Sequence, residues 1–431
     1  MAQGITMLSK AWYGDEPMTI DFPDSWDVVY KKMPGHDIPG LTDEQIWECL
    51  NRPFGAPGLQ DLARGKQRVV IVFDDLARPT PAYRVVPLVL KMLAEAGIRD
   101  DQIRFIAGLG NHLPMHREDF AKKLGEEIPR RFRIYNHNPY QHFVDLGTTC
   151  RGTRVLINKE FMSCDLKIAI GGIIPHPSAG FGGGAKLVVP GVASFETVLH
   201  NHVEIGGRAP HRNPTVGQGK VDGNELRLDM EEMARMAGLD WKVDVVINGR
   251  REPIGVFCGD VVAEHRAGVE MAWGVYGTPC EKEYDIVVAN TYPIDIQVHK
   301  GLWPPVENMK DGGSAVVVCN SVQGESLHFQ GSRFGTEYGG GLWSPDRSRR
   351  LPNARRIYYY SEYPSRILQD ALGEGDQVVL CTRWSEVIMD LVMHHGARAK
   401  VAVFPCASAQ LPARNASATV APATVTAGAK A

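Results

Sequence analysis

Apolar, β-branched runs recur down the chain at 69–73, 103–107, 166–170, 243–247, 286–289, 315–319, 378–381 and 400–404, and helical stretches separate them. That alternation constrains the fold more than any other feature, because a strand followed by a helix brings the chain back parallel to itself. It predicts an α/β protein with largely parallel sheets. Between the first two runs, Val85, Val86, Leu88, Val89, Met92 and Leu93 fall at helical spacing and Gly97 closes the segment, completing one βαβ unit. At 431 residues the chain exceeds the roughly 250–300 that one hydrophobic core supports, so two α/β domains are expected. Glycine, proline and charge between Trp273 and Glu283 mark the seam, giving an N-terminal domain over 1–275 and a C-terminal one over 276–406. The last strand of the second domain is free to pack back on the first. Residues 407–431 are rich in Ala, Thr, Ser and Pro and read as a disordered tail.

Charge and cysteine usage narrow the function classes. A formal net charge of −3, with no run of Lys or Arg, argues against a nucleic acid or a membrane surface as partner and favours a small molecule. The eight cysteines lack any Cys-x-x-Cys, which fits reduced thiols in the cytosol better than a disulfide scaffold or zinc ribbon. Charged residues come too early for a secretory leader, and no apolar run approaches the ~20 residues that span a bilayer. A soluble, cytoplasmic protein is expected.

In open α/β sheets ligands bind beyond the carboxyl ends of strands, so the polar residues that follow each run are the candidates. After 69–73 come Asp74, Asp75, Leu76, Ala77, Arg78 and Pro79; the proline fixes a turn, leaving Asp75 and Arg78 either in the crevice or as a helix cap and a solvated side chain. After 103–107 the loop carries His112 and His116, of which His116 reads as solvated. After 166–170, residues 175–186 bring His176, the glycines Gly182, Gly183 and Gly184, and the amine of Lys186 together. This is no Walker A loop, since Ala185 precedes Lys186 and Leu187 follows it, but glycines still let backbone N–H groups approach an anion. A helix capped by Ser194 then carries His200 and His202, which are two apart and cannot share a helical face, so at most one is a metal ligand. After 286–289 the segment 290–301 holds Gln297 and Lys300, three apart and able to grip a carboxylate jointly or to face solvent.

Together these segments resemble the lactate racemase family, whose members carry a nickel-pincer nucleotide: nickel held by a pyridinium-3-thioamide-5-thiocarboxylate mononucleotide tethered to a lysine. The resemblance runs from about Asp74 to Lys300 and loosely to the segment near residue 400. It rests on the set, because Asp75 with Arg78, His112, His176, Lys186, His202, Gln297 and Lys300 occur in the family's order and close to its spacing. It implies a covalent link at Lys186, nickel ligation by His202, and His112 with His176 as the acid/base pair. It further implies cofactor or substrate contacts from Asp75, Leu76, Ala77 and Arg78, and a carboxylate clamp of Gln297 and Lys300. The activity implied is racemisation or epimerisation of a 2-hydroxy acid in the cleft between the two domains, with cofactor-maturation enzymes as partners. The Cα–H of such an acid is barely acidic; hydride removal coupled to loss of the hydroxyl proton gives a flat 2-keto acid that can be reduced from either face. A histidine's ordinary pKa of about 6.5 suits both proton uptake and release.

The chain departs from lactate-specific members at Ile296, where they have Tyr, and at Ala185, where they have Arg. A changed wall favours a side chain bulkier or more polar than methyl. If Ile296 does not set the pocket, substrate choice lies in the second domain beyond Gly301. Two other classes fit parts of the pattern. A nicotinamide-dependent 2-hydroxy-acid dehydrogenase also needs a glycine turn, a His and an Arg, but no Gly-x-Gly-x-x-Gly follows a strand with an acidic residue ~20 positions on. A non-catalytic carrier of the cofactor needs Lys186 and His202 but neither His112 nor His176.

Overall fold

The computed structural model describes residues 3–208, 211–324, 327–335, 338–343, 351–373 and 375–414. Two six-stranded sheets organise them. The first runs Pro253–Gly259, Trp241–Ile247, Leu166–Gly172, Val69–Phe73, Ile103–Ala107, Arg133–Asn136, parallel throughout except for the antiparallel edge strand Pro253–Gly259. The second runs Val378–Cys381, Arg356–Tyr360, Met309–Val318, Tyr284–Asn290, Lys400–Phe404, Asp27–Tyr30, all parallel.

Each central strand is apolar on both faces because each face meets its own core. In Val69–Phe73, the side chains of Val69, Ile71 and Phe73 enter one cluster while Val70 and Val72 enter another, as the two-residue period of a strand requires. Helix Ala82–Glu95 covers the first of these faces with Val85, Val86, Val89, Met92 and Leu93. Burying each such side chain is worth roughly 1.5–3 kcal/mol, so packing rather than the modest helix propensity of valine holds this helix in place. Helix Glu225–Met236 covers the other face with Leu226, Met230 and Met233.

The expected runs at 69–73, 103–107, 378–381 and 400–404 coincide with observed strands. The domain boundaries need correction. The hairpin Gln3–Ser9/Glu16–Phe22 puts Met7, Met18, Ile20 and Phe22 into a core of the second sheet, and Asp27–Tyr30 forms that sheet's edge beside Lys400–Phe404. The second domain therefore takes its outer layer from the start of the chain. Lys400–Phe404 stays in the second sheet, and it is the segment after it that returns to the first core, through Cys406, Ala409 and Leu411. Residues 407–414 are thus not a tail: Gln410 Nε2 donates to Lys31 O at 2.9 Å and Thr278 Oγ1 at 3.0 Å, and Leu411–Pro412 pairs with Gly277–Thr278. Residues 415–431 lie outside those described. Among the described residues, no helix is long and apolar enough to cross a membrane.

Candidate active site

In the first sheet the chain steps from Val69–Phe73 to Ile103–Ala107 on one side and later to Leu166–Gly172 on the other. The loops leaving two such strands diverge, and a crevice opens between them at their carboxyl ends. A cavity lies there, lined by Asp74, Asp75, Arg78, Asn111, His112, His176, Gly183, Lys186, His202 and His328 among others.

The first wall is built on Lys123, a fully buried lysine whose Nζ pairs with Asp74 at 2.7 Å and donates to the carbonyls of Asp75 at 3.0 Å and Arg78 at 2.9 Å. Nothing local in the sequence marked it, because its role depends on helix Arg117–Leu124 packing under the loop. The side chains of Leu76 and Ala77 lie in the hydrophobic core, 6% and 2% exposed, so a cofactor contact from them would be made by their backbone. Asp75 receives a short hydrogen bond from Nδ1 of His112. Burial pushes the Asp75 carboxyl up, but His112, Arg78 and Lys123 outweigh it and hold it at about 2. With Nδ1–H committed to Asp75, His112 keeps its Nε2 lone pair free. His116 sits at the helix N-terminus, exposed.

Residues 175–181 form a tight two-stranded turn in which Nδ1 of His176 accepts the N–H of Ser178 at 3.2 Å and of Ala179 at 3.1 Å. Its polarity is opposite to that of His112, since Nε2 carries the proton. Burial, then the charges of Lys186, Arg78 and Lys300, hold His176 well below its ordinary pKa. The glycine loop behind it is only partly the anion nest expected. Gly182 N–H donates to Ile174 O at 2.7 Å and Gly184 N–H to Asp244 Oδ2 at 2.5 Å, so neither amide is open to a ligand. These glycines are required by the protein's own packing: a Cβ on Gly183, at φ +72°, would sit 2.4 Å from the Asp244 carboxylate, and one on Gly184 would sit 2.9 Å from the His265 ring. Of the three, Gly183 alone lines the cavity. Arg227 fixes the same loop through the carbonyls of Ala179 and Phe181, and His265 through Gly182 O at 2.9 Å.

That loop delivers Lys186 on a short 3₁₀ turn, Gly184–Leu187, 7% exposed. Burial first, then the charges of Arg78 and Arg227, hold its amine well below the ordinary lysine pKa. The helix capped by Ser194 runs Phe195–Leu199 and then widens into a π-helical turn, His200–Ile205. The wider turn separates the two histidines: His200 contacts Thr153 Oγ1 at 2.9 Å, while His202 lines the cavity. Nδ1–H of His202 donates to Val198 O at 3.1 Å, leaving Nε2 an open lone pair, and burial with the nearby Lys186 lowers its pKa to about 3.

From the second sheet, the segment after Tyr284–Asn290 places Gln297 as the cap of a 3₁₀ turn, Val298–Leu302, and Lys300 within it. The Lys300 N–H donates to Gln297 O at 3.0 Å, which closes the first turn between them. Among the described residues the buried Lys300 Nζ has no hydrogen-bond partner, and burial, Arg78 and Lys186 hold its pKa well down. Ile296 is corrected as a pocket wall: it is 9% exposed and packs in the main core with Tyr292 and Ile294. His328 has no counterpart in the expectations. It lies on an irregular segment beyond Met309–Val318, so neither periodicity nor a preceding strand end pointed to it.

Arg78 and Lys186 line the cavity, Lys300 lies close enough to feel both charges although neither it nor Gln297 is among the lining residues, and the cavity's carboxylates are already engaged, Asp75 by His112 and Asp74 by Lys123. Such a site is built for an anion. Among the described residues no group of three or more His, Cys, Asp and Glu could hold a metal, so a metal at His202 would need donors that the bound group brings. His137, at about 4, His202, at about 3, and His176, His265 and His328, well lowered, are all held neutral by burial above all. Below about 6.5 the unfolded chain binds protons that the folded chain refuses, so stability is full above that pH and is lost as pH falls toward 3–4. The urea midpoint at pH 5 is expected to lie clearly below that at pH 7.5; an unchanged midpoint would show these imidazoles to be protonated in place.

The lactate racemase N-terminal domain model matches residues 13–211. A lactate racemase of Lactiplantibacillus plantarum is 32% identical over 288 residues, covering 65% of this chain and 66% of that protein. One of Thermoanaerobacterium thermosaccharolyticum is 25% identical over 393 residues, covering 89% of this chain and 85% of that one. The chain belongs to the lactate racemase family. The family's fold is also present: the lactate racemase apoprotein of T. thermosaccharolyticum superposes with a TM-score of 0.72 at 23% identity, over 95% of this chain and 100% of that one. A Thermotoga maritima protein superposes with a TM-score of 0.51 at 20% identity, over 67% and 72% of the two chains. The curated family members are named as racemases, which are isomerases.

Proposed function

We propose that this chain is a racemase or epimerase of a 2-hydroxy acid that works with a nickel-pincer nucleotide linked to Lys186. The observation that carries the reading is the meeting, in one cavity, of a buried amine whose pKa burial depresses, an imidazole with an open Nε2, and a His–Asp pair. The residues fit the group: Lys186 is a nucleophilic amine able to form the tether, His202 offers one metal donor fixed by its carbonyl partner, and Arg78 offers charge to the phosphate or the substrate. When bound, the group would supply an acceptor for the hydride of C2.

The chain's own side chains then have distinct tasks. Lys300, with Gln297, is set to take the substrate carboxylate, which restores charge to an amine that burial has suppressed. Asp75 locks His112 in the tautomer that accepts the hydroxyl proton at Nε2 and stabilises the imidazolium that results. His176 offers Nε2–H to the oxygen from the other side; taking a proton there requires the turn at 178–179 to release Nδ1. A carrier protein has no use for the His112–Asp75 pair, and this favours catalysis.

Protein produced together with the maturation enzymes should show, by intact mass, a covalent adduct of nucleotide size, and should racemise or epimerise at least one 2-hydroxy acid by polarimetry. A bare mass with no activity would reject the reading. In that protein His202→Ala is expected to lower nickel content while the adduct mass persists; unchanged nickel would move the metal contact elsewhere.

A further inference from the structure

His328 is the residue that the second half of the chain contributes to the cavity lining. Its ring lies 5.1 Å from that of His112, centroid to centroid, at 67°, and the neighbouring Phe329 N–H donates to Asn111 O at 3.1 Å. The segment is therefore stitched to the loop that carries the base. Nδ1 of His328 accepts the N–H of Gln330 at 3.2 Å and of Gly331 at 3.1 Å. The proton of the neutral ring is thus on Nε2, and the ring can act as a donor but cannot take a second proton without losing both amides.

Beside it, the side chain of Asn111 also lines the cavity, is 2% exposed, and has no partner for either Nδ2 or Oδ1 among the described residues. Burying both halves of an amide unpaired is costly, and a cavity that does so is shaped for a group able both to donate and to accept. A hydroxyl does both. A carboxylate has no proton to give Asn111 Oδ1, and the methyl of lactate would leave all three groups unpaired. A metal does not explain the cluster either, since His112, His202 and His328 are not among groups placed to share one.

We propose that His328 and Asn111 form a subsite for a hydroxyl on the carbon next to the reacting one, so that the substrate is a 2,3-dihydroxy acid of the sugar-acid type. The closeness of the two imidazole rings supports this, because whatever His328 holds must lie only an atom or two from the C2 oxygen that His112 engages. The inference rests on the racemase or epimerase reading, and its test separates the two.

The test compares 2,3-dihydroxybutanoate with 2-hydroxybutanoate, which differ in that one hydroxyl, on the cofactor-loaded enzyme. The wild type is expected to prefer the dihydroxy acid by at least about 100-fold in kcat/KM, as sites built to bond a substrate hydroxyl do. His328→Phe and Asn111→Leu should each compress that ratio to within about 10-fold, whereas His328→Gln, which keeps a donor, should retain more of it. A wild-type ratio near one, or a ratio unmoved by the Phe and Leu variants while both rates fall together, would overturn the subsite. Calorimetric titration of the same proteins with both acids gives the independent readout. Tighter binding of the dihydroxy acid that vanishes in the variants, with no turnover of either acid, would sustain the subsite and reject the reaction; turnover of both acids with equal binding would do the reverse.

Discussion

Lys186→Ala is expected to leave a folded protein that carries no covalent adduct and has no measurable racemisation, even when made with the maturation enzymes. The amine is buried beside Arg78 and Arg227, and burial with those charges lowers its pKa, which favours the nucleophilic free base; among the described residues no other lysine lines the cavity. Folding should survive because removing a desolvated amine relieves burial cost rather than breaking a pair. Intact mass, circular dichroism and polarimetry on one preparation check all three statements. Lys186→Arg is the sharper control: it keeps a cation but cannot form the link, and activity in that variant without an adduct would refute the tether.

Equally large effects are expected at the His112–Asp75 pair. His112→Ala removes the one imidazole, among the described residues lining the cavity, whose Nε2 is open and whose Nδ1 is held by a carboxylate, and a loss of about 10³–10⁴-fold in kcat is expected in both directions, with the adduct intact. Asp75→Asn should cost nearly as much without touching the base, because an amide in place of the carboxylate favours the tautomer with Nε2 protonated. Asp75 itself stays ionised down to about pH 2, so its contribution to stability is full above its ordinary 3.8 and is lost only as pH falls from there toward 2. A descending activity limb between pH 7 and 4 would therefore not report on Asp75. Wild-type rates in Asp75→Asn would mean that His112 does not act as the base.

Much of the framework was legible in the sequence for a simple reason. A strand buried on both faces must be apolar along its buried length, as Val69–Phe73 is throughout and Lys400–Phe404 is after its first residue, and a parallel sheet puts the loops after such strands at one end. Local order thus led from the strands to Asp75, His112, His176 and Lys186, and family order led on to His202, Gln297 and Lys300. Whatever depends on contacts between distant segments was not legible. The glycines at 182–184 read as a ligand cradle, yet Asp244 and His265 fill the space their missing side chains leave. Ile296 stood where a pocket wall was expected, but its side chain turns into the core. Asp27–Tyr30 pairs with Lys400–Phe404 from the far end of the chain and the N-terminal hairpin packs against that sheet's core, since only a folded second sheet offers the edge and the face that they cover.

The sequence by itself determined which residue types could do acid/base, tethering and anion-binding chemistry, because those properties travel with the side chain. Tertiary structure alone decided which nitrogen of each histidine is free. That choice is made by a carboxylate at His112, by backbone amides at His176 and His328, and by a carbonyl at His202, partners supplied by how each loop is folded and packed. It also brought His328 and Asn111 together from opposite halves of the chain, an encounter written in no local pattern and made only when the two sheets close on one crevice.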